Sequence, residues 1–255
     1  MTIITCQIMG GLGNQLFQIS NLLSLSKDYN YKAVIPKLNK SPSIFKDRPV
    51  YWNSLFADLP LGKQYKYYKK HIEFNEYKKI TLNSENTILC GYYQSYKYFD
   101  HNKDIIIEKL FPDKIINDIK MKYKFFDNIT VSLHIRRGDY LKLSNIYKVL
   151  GKSYYEKALT YVPKEAKKII FSDDIDFCKI LFKDFTNIQF IDNDIEDYKQ
   201  LILMSLCTYN IISNSTFSWW AAYINQNNEK IICPENWYYK NNTIDIPIDW
   251  IKIPN

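Results

Sequence analysis

Histidine and glycine are scarce in this chain of 255 residues, which contains three histidines, seven glycines and an odd number of cysteines, five. His71, His101 and His134 are not at metal-ligand spacing from one another, and no two cysteines form a Cys-x-x-Cys pair. These absences argue against a zinc site or a disulfide framework. We therefore expect no bound metal and no cofactor.

Long apolar runs are missing as well. No segment approaches the roughly 18 apolar residues of a membrane span, and residues 1–6 lack the basic region and apolar run of a signal peptide. We expect a cytoplasmic protein with no transmembrane segment. The net charge of +7 suits an anionic ligand, a nucleic acid or an acidic membrane face, so peripheral contact at the inner membrane face stays open.

Lysines concentrate in three places, residues 63–70, 78–79 and 114–124, and several of the 22 tyrosines lie among them. A basic aromatic surface of this kind could bind a sugar, a lipid headgroup or a nucleic acid. Solvated faces in a lysine-rich chain explain the same pattern, and we favour that explanation.

The C-terminal half alternates short apolar runs with longer amphipathic ones, which is typical of βαβ units and a parallel sheet. The predicted strands are 129–135, 168–171, 188–191, 210–212 and 230–233. The predicted helices are 153–162, 175–183, 195–208 and 215–226, with Asn193 or Asp194 available to cap the third. This half is predicted to be a Rossmann-type nucleotide domain.

The N-terminal half begins in the same way, with a strand at 3–8, a glycine-rich turn at 10–13 and a helix from residue 14 to 27. Further strands are predicted near 32–35 and at 86–91, and helices near 95–109 and 113–124. Residues 40–85 show only a weak pattern and are predicted to form loops and short helices. We expect an α/β protein of two Rossmann-type halves, 1–125 and 126–255, facing a central cleft.

Two adjacent arginines follow the predicted strand 129–135, in the segment 134–140, His-Ile-Arg-Arg-Gly-Asp-Tyr. In open α/β sheets the ligand crevice lies beyond the carboxyl ends of the strands, where an arginine fork can bind phosphate oxygens. Gly138 would let a phosphate approach the backbone. An ordinary surface ion pair between Arg137 and Asp139 is the alternative.

Three more strand ends carry polar clusters. Residues 10–15, Gly-Gly-Leu-Gly-Asn-Gln, lack the Gly-x-Gly-x-x-Gly spacing of a dinucleotide site but suggest backbone close to a ligand. Residues 171–174, Phe-Ser-Asp-Asp, offer carboxylates that suit the N–H donors of guanine, with helix capping as the alternative. Residues 214–220, Asn-Ser-Thr-Phe-Ser-Trp-Trp, begin a helix whose first-turn amides and hydroxyls can bind an anion.

Taken together, these segments resemble successive motifs of the α-1,2-fucosyltransferases, glycosyltransferase family 11. The resemblance is carried, in order, by residues 9–18, 134–140, 171–174 and 212–220. It implies a GT-B-like fold and a metal-independent, inverting transfer of L-fucose from GDP-β-L-fucose, usually to O2 of a terminal galactose. The implied partners are GDP-fucose and a galactose-terminated oligosaccharide or glycolipid, with no nucleic acid.

The resemblance also implies roles for residues. It makes Arg136 and Asn14 catalytic candidates, with Arg136 and Arg137 expected to bind the diphosphate and Asn14 to approach the β-phosphate or the acceptor hydroxyl. Asp139 is a third catalytic candidate because it is near in sequence, with a structural ion pair as the alternative. His134 with Asp173 or Asp174 would hold guanine. The residues expected to contact substrate are Gly11, Gly13, Asn14, Gln15, His134, Arg136, Arg137, Ser172, Asp173, Asp174, Asn214, Ser215, Thr216, Phe217 and Ser218. The general base stays unassigned.

Two other functions remain open from sequence. Residues 192–194, Asp-Asn-Asp, form the Asp-x-Asp pattern with which other glycosyltransferases hold Mn²⁺ or Mg²⁺ beside a nucleotide sugar. A non-catalytic nucleotide- or RNA-binding protein would use the basic surface instead and bind oligonucleotides in a salt-sensitive way. Both are less favoured, because the arginine pair is fixed at a strand end and already supplies positive charge.

Overall fold

A computed structural model describes residues 1–44, 46–62, 68–73, 76–124, 128–238 and 244–255. The chain forms two compact units, Met1–Ile115 and Ile116–Asn255. The predicted boundary near residue 126 lies outside the described residues, as do positions 63–67 of the first lysine-rich segment. Both units are α/β, and every strand pairing within their sheets is parallel, so the predicted fold class is confirmed.

The first unit contains a four-stranded sheet in the order β2-β1-β6-β5 and a separate pair, β3-β4. Its strands are β1 (Ile3–Cys6), β2 (Lys32–Ala33), β3 (Ile35–Pro36), β4 (Leu61–Gly62), β5 (Lys69–Ile72) and β6 (Thr87–Cys90). Its helices are α1 (Leu12–Asp28) and α2 (Lys103–Leu110), and α3 (Asp113–Lys122) begins in this unit and ends in the second. Strand β1 and helix α1 are largely buried, since they carry the apolar residues of this unit's core.

Two predictions for this unit were wrong in detail. The weak pattern at 40–85 hides strands β4 and β5, where loops and short helices were expected. Strand β5 is missed because it is a solvated edge strand with the sequence Lys-Lys-His-Ile, and lysine is common on edges, where it discourages further pairing. The helix expected at 95–109 is shorter and is preceded by two short 3-10 helices, Tyr96–Tyr98 and Asp100–Asn102.

The second unit is built on a six-stranded sheet in the order β12-β11-β10-β7-β8-β9. Its strands are β7 (Thr130–Ile135), β8 (Lys167–Ser172), β9 (Ile188–Phe190), β10 (Tyr209–Ile211), β11 (Lys230–Pro234) and β12 (Ile251–Ile253). Its helices are α4 (Lys152–Leu159), α5 (Ile175–Leu181), α6 (Asp197–Ser205) and α7 (Thr216–Tyr223). Two predicted details are wrong. The sequence analysis gave five strands and missed β12, and the cap of α6 is Glu196, with no side-chain hydrogen bond, rather than Asn193 or Asp194.

Strand β7 is buried along its whole length and lies at the point where the chain reverses its direction across the sheet. The chain first adds β8 and β9 on one side of β7, then returns to place β10 on the other side. A reversal of this kind opens a crevice beyond the carboxyl ends of the two flanking strands, and ligands bind there in doubly wound sheets. The topology therefore directs attention to the loops after β7 and β10.

None of the helices formed by the described residues has the length and apolar character needed to cross a bilayer.

Candidate functional site

Three loops emerge side by side at the carboxyl edge of the larger sheet. They follow β8, β7 and β10, which are neighbours in that order, with Ile135 opposite Ser172 and Leu133 opposite Ile211. Parallel pairing sends all three loops out at the same edge. The structure thus brings together three of the four clusters that the sequence singled out, namely residues 134–140, 171–174 and 212–220.

Arg136 leaves the end of β7 with its guanidinium between two carboxylates. Nη1 lies 2.8 Å from Oδ2 of Asp173, and Nη2 lies 2.5 Å from Oδ1 of Asp139. Burial lowers the pKa of Arg136, but the two carboxylates and Tyr140 outweigh that effect and raise it. The guanidinium is therefore held in one orientation and stays charged.

Arg137 is fixed from the next loop. Its Nε donates to Oδ2 of Asp174 at 3.0 Å, and its Cζ lies 3.3 Å from the centre of the Phe177 ring, a cation–π contact. Its backbone N–H also donates to Oδ1 of Asp173. Asp174 accepts in addition from the backbone N–H of Phe177, so the predicted helix cap and the arginine contact are made by one residue.

Gly138 is packed against Asp173. A Cβ atom at this position would lie 2.4 Å from Oδ2 of Asp173, far inside van der Waals contact. The absence of a side chain therefore makes room for the carboxylate that holds Arg136. The sequence suggested that Gly138 makes room for a phosphate. In the structure, the group that it directly accommodates is the carboxylate of Asp173.

His134 is buried within the same cluster, with only 5% of its surface exposed. Its Nδ1 lies 2.8 Å from Oγ of Ser213, and its ring packs against Phe217 at 5.4 Å between centroids. Burial, helped by the charge of Arg136, lowers the pKa of His134 to about 3. The imidazole is therefore neutral near pH 7.

Tyr140 joins the loop after β7 to the loop after β10. Its ring lies 5.4 Å from Cζ of Arg136, and its hydroxyl donates to the backbone carbonyl of Asn214 at 2.9 Å. It also stacks on Tyr147 at 4.1 Å between ring centroids. Sequence reasoning gave Tyr140 no role, although its place directly after the Arg-Arg-Gly-Asp segment was a signal.

Helix α7 starts where the sequence predicted. Ser215 is its N-cap, and the Ser215 hydroxyl accepts from the backbone N–H of Phe217. The Asn214 amide donates to the carbonyls of Lys148 and Trp237, and the fully buried Ser218 hydroxyl bonds the carbonyls of Ser213 and Ser215. Asn214 and Ser218 thus hold the loop in place at the amino end of α7.

The paired side chains of this cluster carry one net negative charge. Two guanidiniums, Arg136 and Arg137, pair with three carboxylates, Asp139, Asp173 and Asp174. The amino end of α7 adds partial positive charge beside them. The carboxylates hold the guanidinium donors in fixed positions, so an incoming anion would meet an ordered set of donors.

The glycine-rich segment lies in the other unit and is described by itself. Gly10 has a positive φ of +80°, Gly11 is the N-cap of α1, and Gly13 is buried in the first turn of the helix. The fully buried Gln15 donates from its amide to the carbonyls of Gly10 and Pro49. Gln15 therefore shapes this turn from inside.

Asn14 lies at the carboxyl edge of the smaller sheet. Its Oδ1 accepts from the amide of Gln94 at 2.9 Å. Gln94 follows β6, the strand next to β1, and sequence reasoning did not identify it. No motif marked Gln94, because the segment after β6 reads as ordinary polar loop.

Within the described ranges, no three side chains from His, Cys, Asp and Glu come together in a way that could hold a metal ion. Residues 192–194 lie near Asp173 and Asp174, where they line an open, acidic depression of about 370 Å³ beyond the ends of β8 and β9.

Comparison with known proteins gives a consistent result. Residues 1–253 match the family model described as Glycosyl transferase family 11. The O-antigen biosynthesis glycosyltransferase WbnK of Escherichia coli is 34% identical over 217 residues, which cover 79% of this chain and 71% of WbnK. An alpha-1,2-colitosyltransferase of Escherichia coli is 28% identical, over 99% of both chains.

An animal relative is more distant. A galactoside 2-alpha-L-fucosyltransferase of Caenorhabditis elegans is 25% identical over 84% of this chain, and the match spans 65% of that protein. Among solved structures, the NodZ alpha-1,6-fucosyltransferase co-crystallised with GDP superposes with a TM-score of 0.60 at 12% identity, covering 90% of this chain and 93% of NodZ. POFUT1 in complex with GDP gives 0.54 at 12% identity, covering 91% and 97%. These two likenesses concern the GT-B fold.

Proposed function

The chain belongs to glycosyl transferase family 11, and we propose that it moves L-fucose from GDP-β-L-fucose to a galactoside hydroxyl, O2 of a terminal galactose, with inversion at the sugar carbon. The single observation that carries the proposal is the adjacency of Arg136 and the amino end of α7, which leave neighbouring strands at the point of topological reversal. A nucleoside diphosphate bound there would meet cations from one strand end and helix N–H groups from the other.

Arg136 is the main electrostatic element of the proposed mechanism. As fucose departs, an oxocarbenium-like state forms and negative charge gathers on the β-phosphate oxygen. A guanidinium already fixed at that oxygen stabilises the transition state more than the ground state, because it need not reorient. Asp139 and Asp173, which hold Arg136 from two sides, supply that fixed orientation.

We assign the remaining binding roles as follows. Arg137 would contact the diphosphate with its outer amino groups, since its Nε is engaged by Asp174. Thr216 and the first N–H groups of α7 would donate to the phosphates, and Asn14 would act on the acceptor side. His134, neutral and packed against Phe217, would hydrogen-bond the guanine rather than carry a proton.

Asp139 is the residue that we propose interacts with the proton of the acceptor hydroxyl. Inversion requires the acceptor hydroxyl to attack the sugar carbon from the face opposite the leaving phosphate, so in this role the Asp139 carboxylate, 2.5 Å from Nη2 of Arg136, would have to meet the hydroxyl on that face. A carboxylate in this place can accept a hydrogen bond from an attacking hydroxyl. We further propose that the reaction needs no metal, because arginines perform the neutralising task of a cation.

A second donor is favoured by one specific observation. A relative that matches over 99% of both chains is named an alpha-1,2-colitosyltransferase. Colitose is L-fucose without its 3-hydroxyl group, so one site could be built for either sugar. A hydroxyl matched by a buried polar partner gives large discrimination, whereas an unmatched one gives little.

The proposal is tested by incubating the protein with GDP-fucose or GDP-colitose and a panel of galactosides, followed by linkage analysis of the products. We expect a new α-1,2 linkage on galactose with GDP-fucose. Transfer from GDP-colitose and not from GDP-fucose would change the proposed donor but leave the proposed site unchanged. No transfer from either, together with salt-sensitive RNA binding that GDP does not inhibit, would reject the enzyme and favour a nucleic-acid-binding protein.

A further inference from the structure

The carboxylate of Glu73 lies at the carboxyl edge of the smaller sheet, directly after β5, where backbone N–H groups bind it. Its Oε2 accepts from the backbone N–H of Tyr92 at 2.6 Å, and its Oε1 accepts from that of Gln94 at 3.3 Å. Successive N–H groups that converge on one anion form a nest. Burial is the main effect on Glu73 and raises its pKa, although the N–H bonds from residues 92–94 oppose the rise.

The backbone around this carboxylate is in a rare conformation. Tyr93 has a φ of +52°, in the left-handed region that a bulky residue seldom adopts. Gly91 has a φ of +149°, and a Cβ there would lie 2.3 Å from Cβ of Glu73. Strained backbone persists only where its surroundings hold it, and it gathers at functional sites.

The Tyr93 side chain fastens the same loop to β5 a second time. Its hydroxyl donates to the carbonyl of His71 at 2.8 Å and lies 3.0 Å from that residue's Nδ1. The loop 91–94 is thus held by His71 at the end of β5 and by Glu73 directly after it. Gln94 is the last residue of this loop.

Gln94 reaches a catalytic candidate. Its amide nitrogen donates to Oδ1 of Asn14 at 2.9 Å. The backbone below Asn14 is equally close-fitting, because a Cβ at Gly10 would lie 2.5 Å from the Asn14 amide nitrogen. One carboxylate, one strained turn and one amide therefore form a continuous path of contacts from Glu73 to Asn14.

We propose that Glu73 and Gln94 are positioning residues for the transfer: Glu73 holds the turn 91–94, and Gln94 in turn orients the side chain of Asn14. The inference rests on the proposed function for the role of Asn14. Neither Glu73 nor Gln94 belongs to any motif that the sequence analysis used.

The kinetic test is a double-substitution cycle. Gln94→Ala and Asn14→Ala should each lower kcat by about 10- to 100-fold, the effect of misplacing a reacting group by about an ångström. Both should leave GDP affinity within about twofold, since the proposed role of Asn14 is on the acceptor side and the proposed diphosphate contacts are Arg136, Arg137 and α7. The double variant should be no slower than Asn14→Ala alone, because Gln94 acts through Asn14. Losses that multiply would overturn the proposal.

The structural test needs no donor sugar and so separates this inference from the proposed function. Hydrogen exchange at the Tyr92 and Gln94 amides should be at least about tenfold faster in Glu73→Gln, whose amide nitrogen cannot accept both N–H groups. Glu85→Gln is the matched control, since Glu85 lies just before β6 and pairs with Lys69 instead of with the turn 91–94. Unchanged exchange in Glu73→Gln would overturn the proposal, even if turnover were lost. If the wild type transferred no sugar but exchange behaved as expected, the proposed function would fail, whereas the part of the inference in which Glu73 holds the turn 91–94 would stand.

Discussion

The carboxylate of Asp173 lies 2.8 Å from the guanidinium of Arg136, in space that any side chain at position 138 would enter. The same carboxylate accepts from the backbone N–H of Arg137. A residue expected from sequence to hold guanine therefore has a second set of contacts, with the arginines. Its role in guanine binding stays a prediction, but its role in ordering the cationic pair follows directly from the geometry.

Gly138→Ala should disturb catalysis more than stability. The new methyl group would lie 2.4 Å from Oδ2 of Asp173 and displace that carboxylate from Arg136. We expect kcat to fall by roughly tenfold or more, as for other misplaced catalytic groups. Gly151→Ala is the matched control, because a Cβ there meets no atom within 4 Å. Equal rates for the two variants would show that the Asp173 contact is dispensable.

Arg136→Ala should remove most turnover. Loss of one fixed donor to a developing oxyanion costs roughly 3–4 kcal/mol, or about 10²–10³ in kcat. Arg136→Lys should recover little of this, since a lysine cannot hold Asp139 and Asp173 in the same plane. Steady-state rates with GDP-fucose provide the measurement. Near wild-type turnover in the alanine variant would remove this arginine from the mechanism.

His134 should make the protein less stable in mild acid. Its pKa is lowered to about 3 in the folded state, against 6.5 for the ordinary side chain, so the unfolded chain takes up a proton first as the pH falls. Stability is then lost progressively below pH 6.5, by about 1–2 kcal/mol between pH 7 and pH 5. Urea unfolding at both pH values should show a smaller loss for His134→Asn. The same loss in both proteins would mean that the imidazole is not held neutral.

Transfer should survive EDTA. The proposed mechanism assigns the neutralisation of the leaving diphosphate to Arg136 and Arg137, so chelation should leave the rate unchanged within about twofold. Asp192→Asn and Asp194→Asn, assayed without EDTA, should likewise leave the rate unchanged within about twofold. Complete loss of activity that Mn²⁺ restores would instead support the metal-dependent alternative at residues 192–194.

The second unit could be predicted well from the sequence because its strands are buried runs of apolar residues. Strands β7 and β10 end within a residue of the predicted positions, and the polar clusters that follow them do meet. Parallel pairing makes such a meeting a matter of topology, so local sequence sufficed. What could not be predicted was which donors and acceptors pair, since contacts such as Arg136 with Asp173 depend on loop conformation.

The first unit was harder to predict from the sequence, because local sequence reveals only those elements that carry an apolar pattern. Strand β5 is polar and solvated, so no apolar alternation reveals it. Glu73 gains its importance only because a turn from β6, distant in sequence, folds over its carboxylate. In the second unit, the cap of α6 was misplaced because Glu196 offers no side-chain hydrogen bond, whereas Asn193 and Asp194 look like better caps in the sequence.

The central claim is that Arg136 and the amino end of α7 bind the β-phosphate of a nucleoside diphosphate. The most direct measurement is calorimetric titration of the wild type and of Arg136→Ala with GDP and with GMP, which differ only in that phosphate. We predict that the wild type binds GDP at least about tenfold more tightly than GMP, and that the variant loses most of this preference while still binding GMP. An undiminished preference for GDP in Arg136→Ala would contradict the account.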